Sequence, residues 1–422
     1  MEAIRNLLEV KLQAFDPEVD ELIRDEMRRN EETINLIASE NYPPKSSMKA
    51  ISSMLSGIYS EGYPGERYYR GLENIDKIES VAIKRAKAVF GAEHANVQAL
   101  SGSSANIAAY LALLQIGDPI LSMEIDAGGH LSHGAKVNIV SKLFQVHQYG
   151  VDPATGLLDY DAIRKMALEI KPRLIVCGAS AYPRIIDFAR FGAIAKEAGA
   201  FLMDDMAHIA GMVATGDHPS PVPHCDIVTT TTHKTLRMTR GALILCRQEH
   251  AAKVDRAVFP VLQGGPHQAN ISAIAVGLKH LTTPEYKDYI GRLLKNAKLL
   301  ASELQALGFA IVSGGTDNHL MLVDLSAQGI DGDRASIILE EANIVVNKNK
   351  VPGDKGTAKK PYGIRLGSPA ITTRGMGPEE VRQIARWIQS VLLNPDDEAL
   401  RKRVKAEVTA LCRRFPIYQP TF

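Results

Sequence analysis

Apolar and polar positions along this chain fall into blocks whose period changes. In DPEVDELIRDEM (16–27), Val19, Leu22, Ile23 and Met27 recur at helical spacing. Asp16 sits ahead of Pro17, an N-cap followed by the residue best tolerated in a first helical turn. That pattern predicts an N-terminal arm helix. Further on, short and mostly apolar runs stand at RLIVCGAS (173–180), AFLMDD (200–205), DIVTTTT (226–232) and GALILCR (241–247). Helical patterns such as FGAIAKEAG separate several of them. Strands apolar on both faces and alternating with helices predict a mainly parallel sheet in an α/β fold. TTPE (282–285) breaks the pattern, and a long amphipathic helix, YKDYIGRLLKNAKLLASELQALG, leads away from it. The runs AIVSGG, HLMLVDL, IVVNKN and GIRLGSPA then read as strands of a smaller C-terminal α+β domain. The expected layout is an arm over 1–38, a large domain over 39–285 and a small domain over 286–422. KVPGDKGTAKKPYG (350–363) concentrates glycine, proline and lysine and predicts a flexible loop.

Composition narrows the class. The 422 residues are 45% hydrophobic and 23% charged, ordinary for a soluble globular chain of two domains. A formal net charge of +1 carries no footprint for nucleic acid or an anionic membrane. No apolar run approaches the roughly 20 residues that cross a bilayer. MEAIRNLLEVKLQAF lacks the basic start, apolar core and cleavage site of a secretory signal. Cys177, Cys225, Cys246 and Cys412 are scattered through mostly apolar contexts and read as reduced core thiols, which suits the cytoplasm.

Chemistry enters at the strand ends, where α/β sheets gather their ligands. Asp205 closes AFLMDD, and Lys234 follows DIVTTTTH, one crossover further along. A lysine and an aspartate at adjacent strand ends meet the needs of pyridoxal 5′-phosphate. The amine forms a Schiff base, and the carboxylate keeps the ring nitrogen protonated so that the ring accepts electrons from a bond broken at Cα. Such a charge-assisted bond is worth roughly 1.5–3 kcal/mol. The threonine run makes a stiff strand that fixes the lysine, with hydroxyls available to the cofactor. On spacing alone, a solvated strand-end lysine is the favoured reading. SGSSAN (101–106) follows NVQAL and opens the helical IAAYLALLQ, as a phosphate cup at a helix N-terminus would; a plain serine N-cap has the same pattern. In GGHLSHG (128–134), His130 and His133 lack a third ligand at metal spacing, so no metal is expected. A glycine-flanked imidazole there suits stacking on a flat ring.

Together with LIASENY (36–42), YSEGYPGERYY (59–69), ASAYPR (179–184), DMAHIAG (205–211), TTTTHKT (229–235), LQGGP (262–266), SGGTDNHL (313–320), VNKNKVP (346–352) and GIRLGSPAIT (363–372), these motifs span nearly the whole chain. In that order they resemble the serine hydroxymethyltransferase family. The resemblance implies an aspartate aminotransferase-like, fold type I transferase dependent on pyridoxal phosphate. It would move the hydroxymethyl carbon of L-serine reversibly to tetrahydrofolate, the co-substrate, leaving glycine. Lys234 would carry the cofactor and Asp205 pair with its ring nitrogen. His130 would stack on the ring, with Ser180 beside it and His208 near the ring oxygen and substrate. Ser101, Gly102, Ser103 and His233 would hold the phosphate, with Gly264 and Gly265 reaching in from a second subunit. Arg365 and Ser39 would clamp the substrate carboxylate. Glu61 would handle protons near Tyr59 and Tyr69, while Asn349 and Tyr68 would meet the pteridine. Sites built by two chains imply a homodimer or higher oligomer.

The chain departs from the family pattern near these loops. After the lysine it reads LRMTRGA, with Met238, Thr239 and Ala242 where glycine, proline and glycine are usual. A glycine needing positive φ would make Met238 costly unless the loop changes path. Leu100, Ser104, Asp126, Ala127, Glu66 and Arg70 are further departures, and Asp204 places a carboxylate at an apolar strand position. The cluster suggests retuned specificity, such as 2-methylserine with D-alanine in glycine's place. A folate-independent aldolase of β-hydroxy amino acids is a second alternative, and a catalytically silent paralogue a third.

Overall fold

The computed structural model describes residues 9–418. The reading of the first eight residues therefore lies outside the described part. Seven strands form the large sheet: β1 (His94–Asn96), β2 (Pro119–Met123), β3 (Gln145–Tyr149), β4 (Leu174–Cys177), β5 (Phe201–Asp205), β6 (Ile227–Thr231) and β7 (Ala242–Cys246). Their spatial order is β1-β7-β6-β5-β4-β2-β3. From β6 to β3 every neighbouring pair is parallel, while β7 runs antiparallel to both β6 and β1. This is the mainly parallel α/β sheet that the apolar runs predict.

The runs are continuous because the sheet is covered on both faces. Ile175, Leu202 and Leu243 join one core with Phe188, Phe191 and Tyr149. Their strand neighbours Leu174, Val176, Met203 and Ile244 join a second core with Ala105, Ala108 and Tyr110 on the other face. Helices return the chain between strands, as with Phe188–Ala198, whose N-cap Asp187 accepts from the Arg190 N–H. That helix ends on Gly199 at φ 69°, a left-handed conformation open to glycine at little cost.

The small sheet contains β8 (Ala310–Ile311), β9 (Leu320–Asp324), β10 (Asn347–Asn349) and β11 (Gly363–Gly367), in the order β8-β9-β11-β10 and antiparallel throughout. Helices Gly332–Glu341, Pro378–Leu393 and Glu398–Arg414 bury their apolar faces in its core. IVVNKN, expected as a single strand, is divided. Ile344–Val345 pairs in parallel with Ile34–Asn35, whereas β10 pairs with β11. The chain changes partners at Val346, an exchange set by what lies alongside and not by its own pattern.

The arm helix runs Pro17–Glu32, capped by Asp16 accepting from the Val19 N–H at 3.1 Å. None of its residues is buried within the single chain. Just past it, Ile34 and Leu36 are fully buried in the small-domain core. The long helix Pro284–Ala306 joins the two cores. Its first half contributes Tyr286, Tyr289, Ile290 and Leu293 to the large core, and its second half Ala297, Leu300 and Leu304 to the small one. All four cysteines are free and buried. Among the described residues, no helix is long and apolar enough to cross a membrane.

Candidate active site

Strand ends β5 and β6 open onto a cavity of about 260 Å³. Ser39, Ser101, Gly102, Ser103, His130 and Ser180 line it, together with Asp205, His208, Thr231, His233, Lys234 and Arg240. Lys234 donates to Thr231 Oγ1 at 3.1 Å, within the strand-end turn that the threonines build. Burial is the main force on its amine; with Arg365 and Arg240 it lowers the pKa to about 8, against the pull of Asp205. A lysine held there is a nucleophilic amine for a useful fraction of the time at neutral pH.

Asp205 shows the opposite balance. Burial pushes its carboxyl up, but the bond from His133 and the charges of His133, His130 and Lys234 outweigh burial and hold it well below the usual range. His133 Nε2 lies 3.2 Å from Oδ2, and Asn106 Nδ2 donates to the same oxygen at 2.8 Å. Thr229 Oγ1 in turn donates to Asn106 Oδ1 at 2.6 Å. The threonine hydroxyls expected to face a cofactor thus serve mostly the protein. Thr229 orients Asn106, Thr232 donates to the Thr239 carbonyl at 2.6 Å, and only Thr231 lines the cavity. His133, set aside in the sequence once a metal was excluded, and Asn106, carrying no signal there, hold Asp205 in place.

His130 packs edge-on to His133, with ring centroids 5.8 Å apart, and receives the Ser132 N–H on Nδ1. Burial drops its pKa to about 4, so it stands neutral, as a ring that stacks on an aromatic cation should. His233 is lowered to about 3, by burial first and then by Lys234 and Arg240, and its buried Nδ1 has no partner. At the other wall, Ser101 caps the helix Gly102–Leu113 through a reciprocal pair with Ser104. The N-cap reading of SGSSAN is realised, and Gly102 and Ser103, whose first-turn N–H groups have no intrahelical acceptor, line the cavity. A Cβ at Gly102 would come within 2.7 Å of Thr231 Cγ2, so the backbone approaches β6 as only glycine allows.

Arg365, on β11 of the small sheet, donates Nη1 to the Ser180 carbonyl at 2.7 Å and Nε to Asn347 Oδ1 at 3.1 Å. Burial lowers it to about 10, still a full cation at neutral pH. The remaining sequence candidates do not line the cavity. Glu61, Tyr59 and Tyr69 gather elsewhere in the chain: the two tyrosine rings lie 5.4 Å apart, a Cβ at Gly265 would lie 3.3 Å from Tyr59, and one at Gly264 3.7 Å from Glu61 Oε1. Tyr59 and Tyr68 are 61% and 74% exposed even though each ring meets another edge-on, Tyr69 for the first and Phe259 for the second. Asn349 ends β10 and donates to the Lys350 carbonyl.

The loop after Lys234 resolves its own puzzle. Positive φ falls on Arg237, at 55°, and not on Met238. Arg237 lays its guanidinium 4.6 Å from the Tyr289 ring centroid. Met238 is buried away from the cavity, its N–H on the Thr232 carbonyl at 2.9 Å and its side chain against Gly277. The loop has taken a path on which methionine is a core residue. Asp126, another departure, pairs with Lys350 at 2.9 Å, next to Asn349.

A lysine and an aspartate at adjacent ends of a seven-stranded sheet in this order, facing a helix N-terminus, define a fold type I transferase of the pyridoxal-phosphate class. The chain belongs to the serine hydroxymethyltransferase family. That family's model, described as serine hydroxymethyltransferase, matches residues 12–388. Among curated proteins, the chain is 52% identical over 407 residues to a serine hydroxymethyltransferase of Dehalococcoides mccartyi strain 195, covering 96% of this chain and 98% of that one. It is 52% identical over the same length to the serine hydroxymethyltransferase of strain CBDB1.

Proposed function

We propose that this protein transfers the hydroxymethyl carbon of L-serine reversibly to tetrahydrofolate, giving glycine and 5,10-methylenetetrahydrofolate, with pyridoxal 5′-phosphate held at Lys234. The observation that carries the reading is the opposed tuning of Lys234 and Asp205 in one cavity: an amine lowered to about 8 beside a carboxylate kept ionised. The residues present fit the cofactor. An orphaned buried nitrogen on His233, free first-turn N–H groups at Gly102 and Ser103, and a glycine that permits close approach together suit a phosphate. When bound, the pyridoxal group supplies an electron sink conjugated to the substrate Cα.

The chain's own groups do the rest. Asp205, braced by His133 and Asn106, stays anionic and would be the group to keep the ring nitrogen of a bound cofactor protonated. Neutral His130 offers a flat face for stacking. Arg365 brings a planar guanidinium from the small domain and, with Ser39, fixes the amino acid's carboxylate. Glu61, Tyr59 and Tyr69 would meet this cavity from a second copy of the chain, which would also deliver Gly264 and Gly265. The exposure of Tyr59 and Tyr69, and the absence of all five residues from the cavity lining, support that arrangement. Tyr68 and Asn349 would flank the pteridine. The protein would then work as a cytoplasmic homodimer or a multiple of one.

Specialisation for 2-methylserine and a folate-independent aldolase are not favoured. Identity of 52% over 96% of the chain to serine hydroxymethyltransferases weighs against both. Burial of Met238 against Gly277 also removes the main reason to suspect an altered site. The deciding experiment measures turnover of L-serine, 2-methylserine and L-threonine by the pyridoxal-loaded protein, each with and without tetrahydrofolate. Serine turnover that requires folate is expected. A clear preference for 2-methylserine, or serine cleavage indifferent to folate, would replace the assignment.

A further inference from the structure

His319, at the entrance to β9, belongs to none of the groups assigned above. It is fully buried, yet its Nε2 lies 3.2 Å from Nδ1 of His208, which lines the cavity. The two rings are nearly parallel, 23° between planes, with centroids 5.3 Å apart. The pair bridges the two sheets, since His208 follows β5 of the large sheet and His319 immediately precedes β9 of the small one.

The backbone on each side of the pair is tied down. The His208 carbonyl accepts from Thr235 Oγ1 at 3.0 Å, one residue past Lys234. The His319 carbonyl accepts the Ser368 N–H at 3.0 Å, and neighbouring Asn318 donates Nδ2 to the Tyr182 carbonyl at 3.0 Å. Burial first, then the cations Lys234 and Arg365, keep His208 neutral; burial, Arg365 and Lys234 do the same for His319. Two neutral imidazoles at this distance share one proton between the facing nitrogens. The ring that donates it fixes the tautomer of the other. A choice made on His319 therefore dictates whether the second nitrogen of His208 is a donor or an acceptor.

We propose that His319 is a positioning residue for His208, locking that ring in one orientation and one tautomer from across the domain junction. The inference rests on the transferase reading above for its catalytic consequence, though not for the existence of the lock. Two domains must be correctly seated before His208 presents the right nitrogen, so the contact also couples small-domain placement to the state of the cavity.

The test uses the full-length protein with ¹⁵N-labelled histidine, first without cofactor. One tautomer is expected for His208, and H319F, which keeps a flat ring but no nitrogen, should leave it a mixture of two. H319Q, which can place an amide near the lost Nε2, should restore a single form. In the loaded enzyme, H319F should lower kcat on the order of tenfold with KM for serine within about twofold, shift the pH profile of kcat, and be largely rescued in H319Q. His208 found as two tautomers in the wild-type protein would overturn the proposal. So would a folded H319F with unchanged tautomer, kcat and pH profile. If H319F fails to fold, H319Q and the wild-type spectrum decide. Should the wild-type protein not turn over serine at all, the transferase reading fails, while the tautomer measurement still judges the histidine pair.

Discussion

Asp204 and Asp205 are neighbours on one strand with opposite fates. Alternation sends Asp205 to the cavity and its ring of donors, and Asp204 into the core. There its carboxyl accepts from the Cys177 thiol at 3.4 Å, and its Oδ2 has no partner among the described residues. Burial, then the charge of Asp205, raises its pKa to about 8, the thiol offsetting only part. The folded state therefore keeps a proton that the unfolded chain releases near pH 4. Stability should fall as pH rises from about 4 to about 8 and level off beyond. Asp204→Asn stays uncharged throughout, so its stability advantage over the wild type should widen by up to about 4 kcal/mol between pH 5 and pH 8. Calorimetric melts at the two pH values check this; a gap independent of pH would mean that the carboxyl is ionised in the folded protein. A carboxylate at an apolar position was visible in the sequence as an anomaly. That it survives as a neutral acid was not, because neutrality depends on what surrounds it.

At the scale of elements, the hydrophobic pattern placed β5 to β7 to within a residue and ran β4 three residues too far at its C-terminal end. Strands covered on both faces leave an uninterrupted apolar signal, and the cap Asp16 marked a helix start through its own side chain. The Met238 loop was different, because a turn's path depends on the element it packs against. Here that element is the helix Gln268–His280, which meets the loop at Gly277. A Cβ added there would lie 2.6 Å from Met238 Sδ, and the buried thioether has little room to yield. Gly277→Ala should cost about 1–3 kcal/mol in spite of alanine's better helix propensity. Adding Met238→Ala should relieve the clash, so the double variant is more stable than the two single effects summed. Strict additivity in thermal unfolding would show that the two side chains do not meet.

At the scale of the whole molecule, the site residues fall into two groups that one chain keeps apart: those around Lys234, and those around Glu61 and Tyr59. If a second copy joins them, a variant lacking Lys234 and one lacking Glu61 fail at different halves of the same site. Lys234→Ala and Glu61→Gln homodimers should each be nearly inactive. Unfolded together in equal amounts and refolded, they should regain about a quarter of wild-type activity, because half of the dimers are mixed and each mixed dimer has one intact site. Activity that stays at the level of the parents would place both residues in one chain's site.

The sequence by itself determined the local and the repetitive features: strands, capped helices, the lysine and aspartate at strand ends, and a run of motifs dense enough to indicate the family. Each is written in neighbouring residues, whose periodicity and backbone preferences act over one or two turns. Only the tertiary structure decided the partners. It brought His133 and Asn106 onto Asp205, His319 onto His208, and Met238 onto Gly277, and it divided IVVNKN between two sheets. Those contacts join residues far apart in the chain. Their energies come from burial and close approach, which no stretch of sequence possesses until the rest has folded around it.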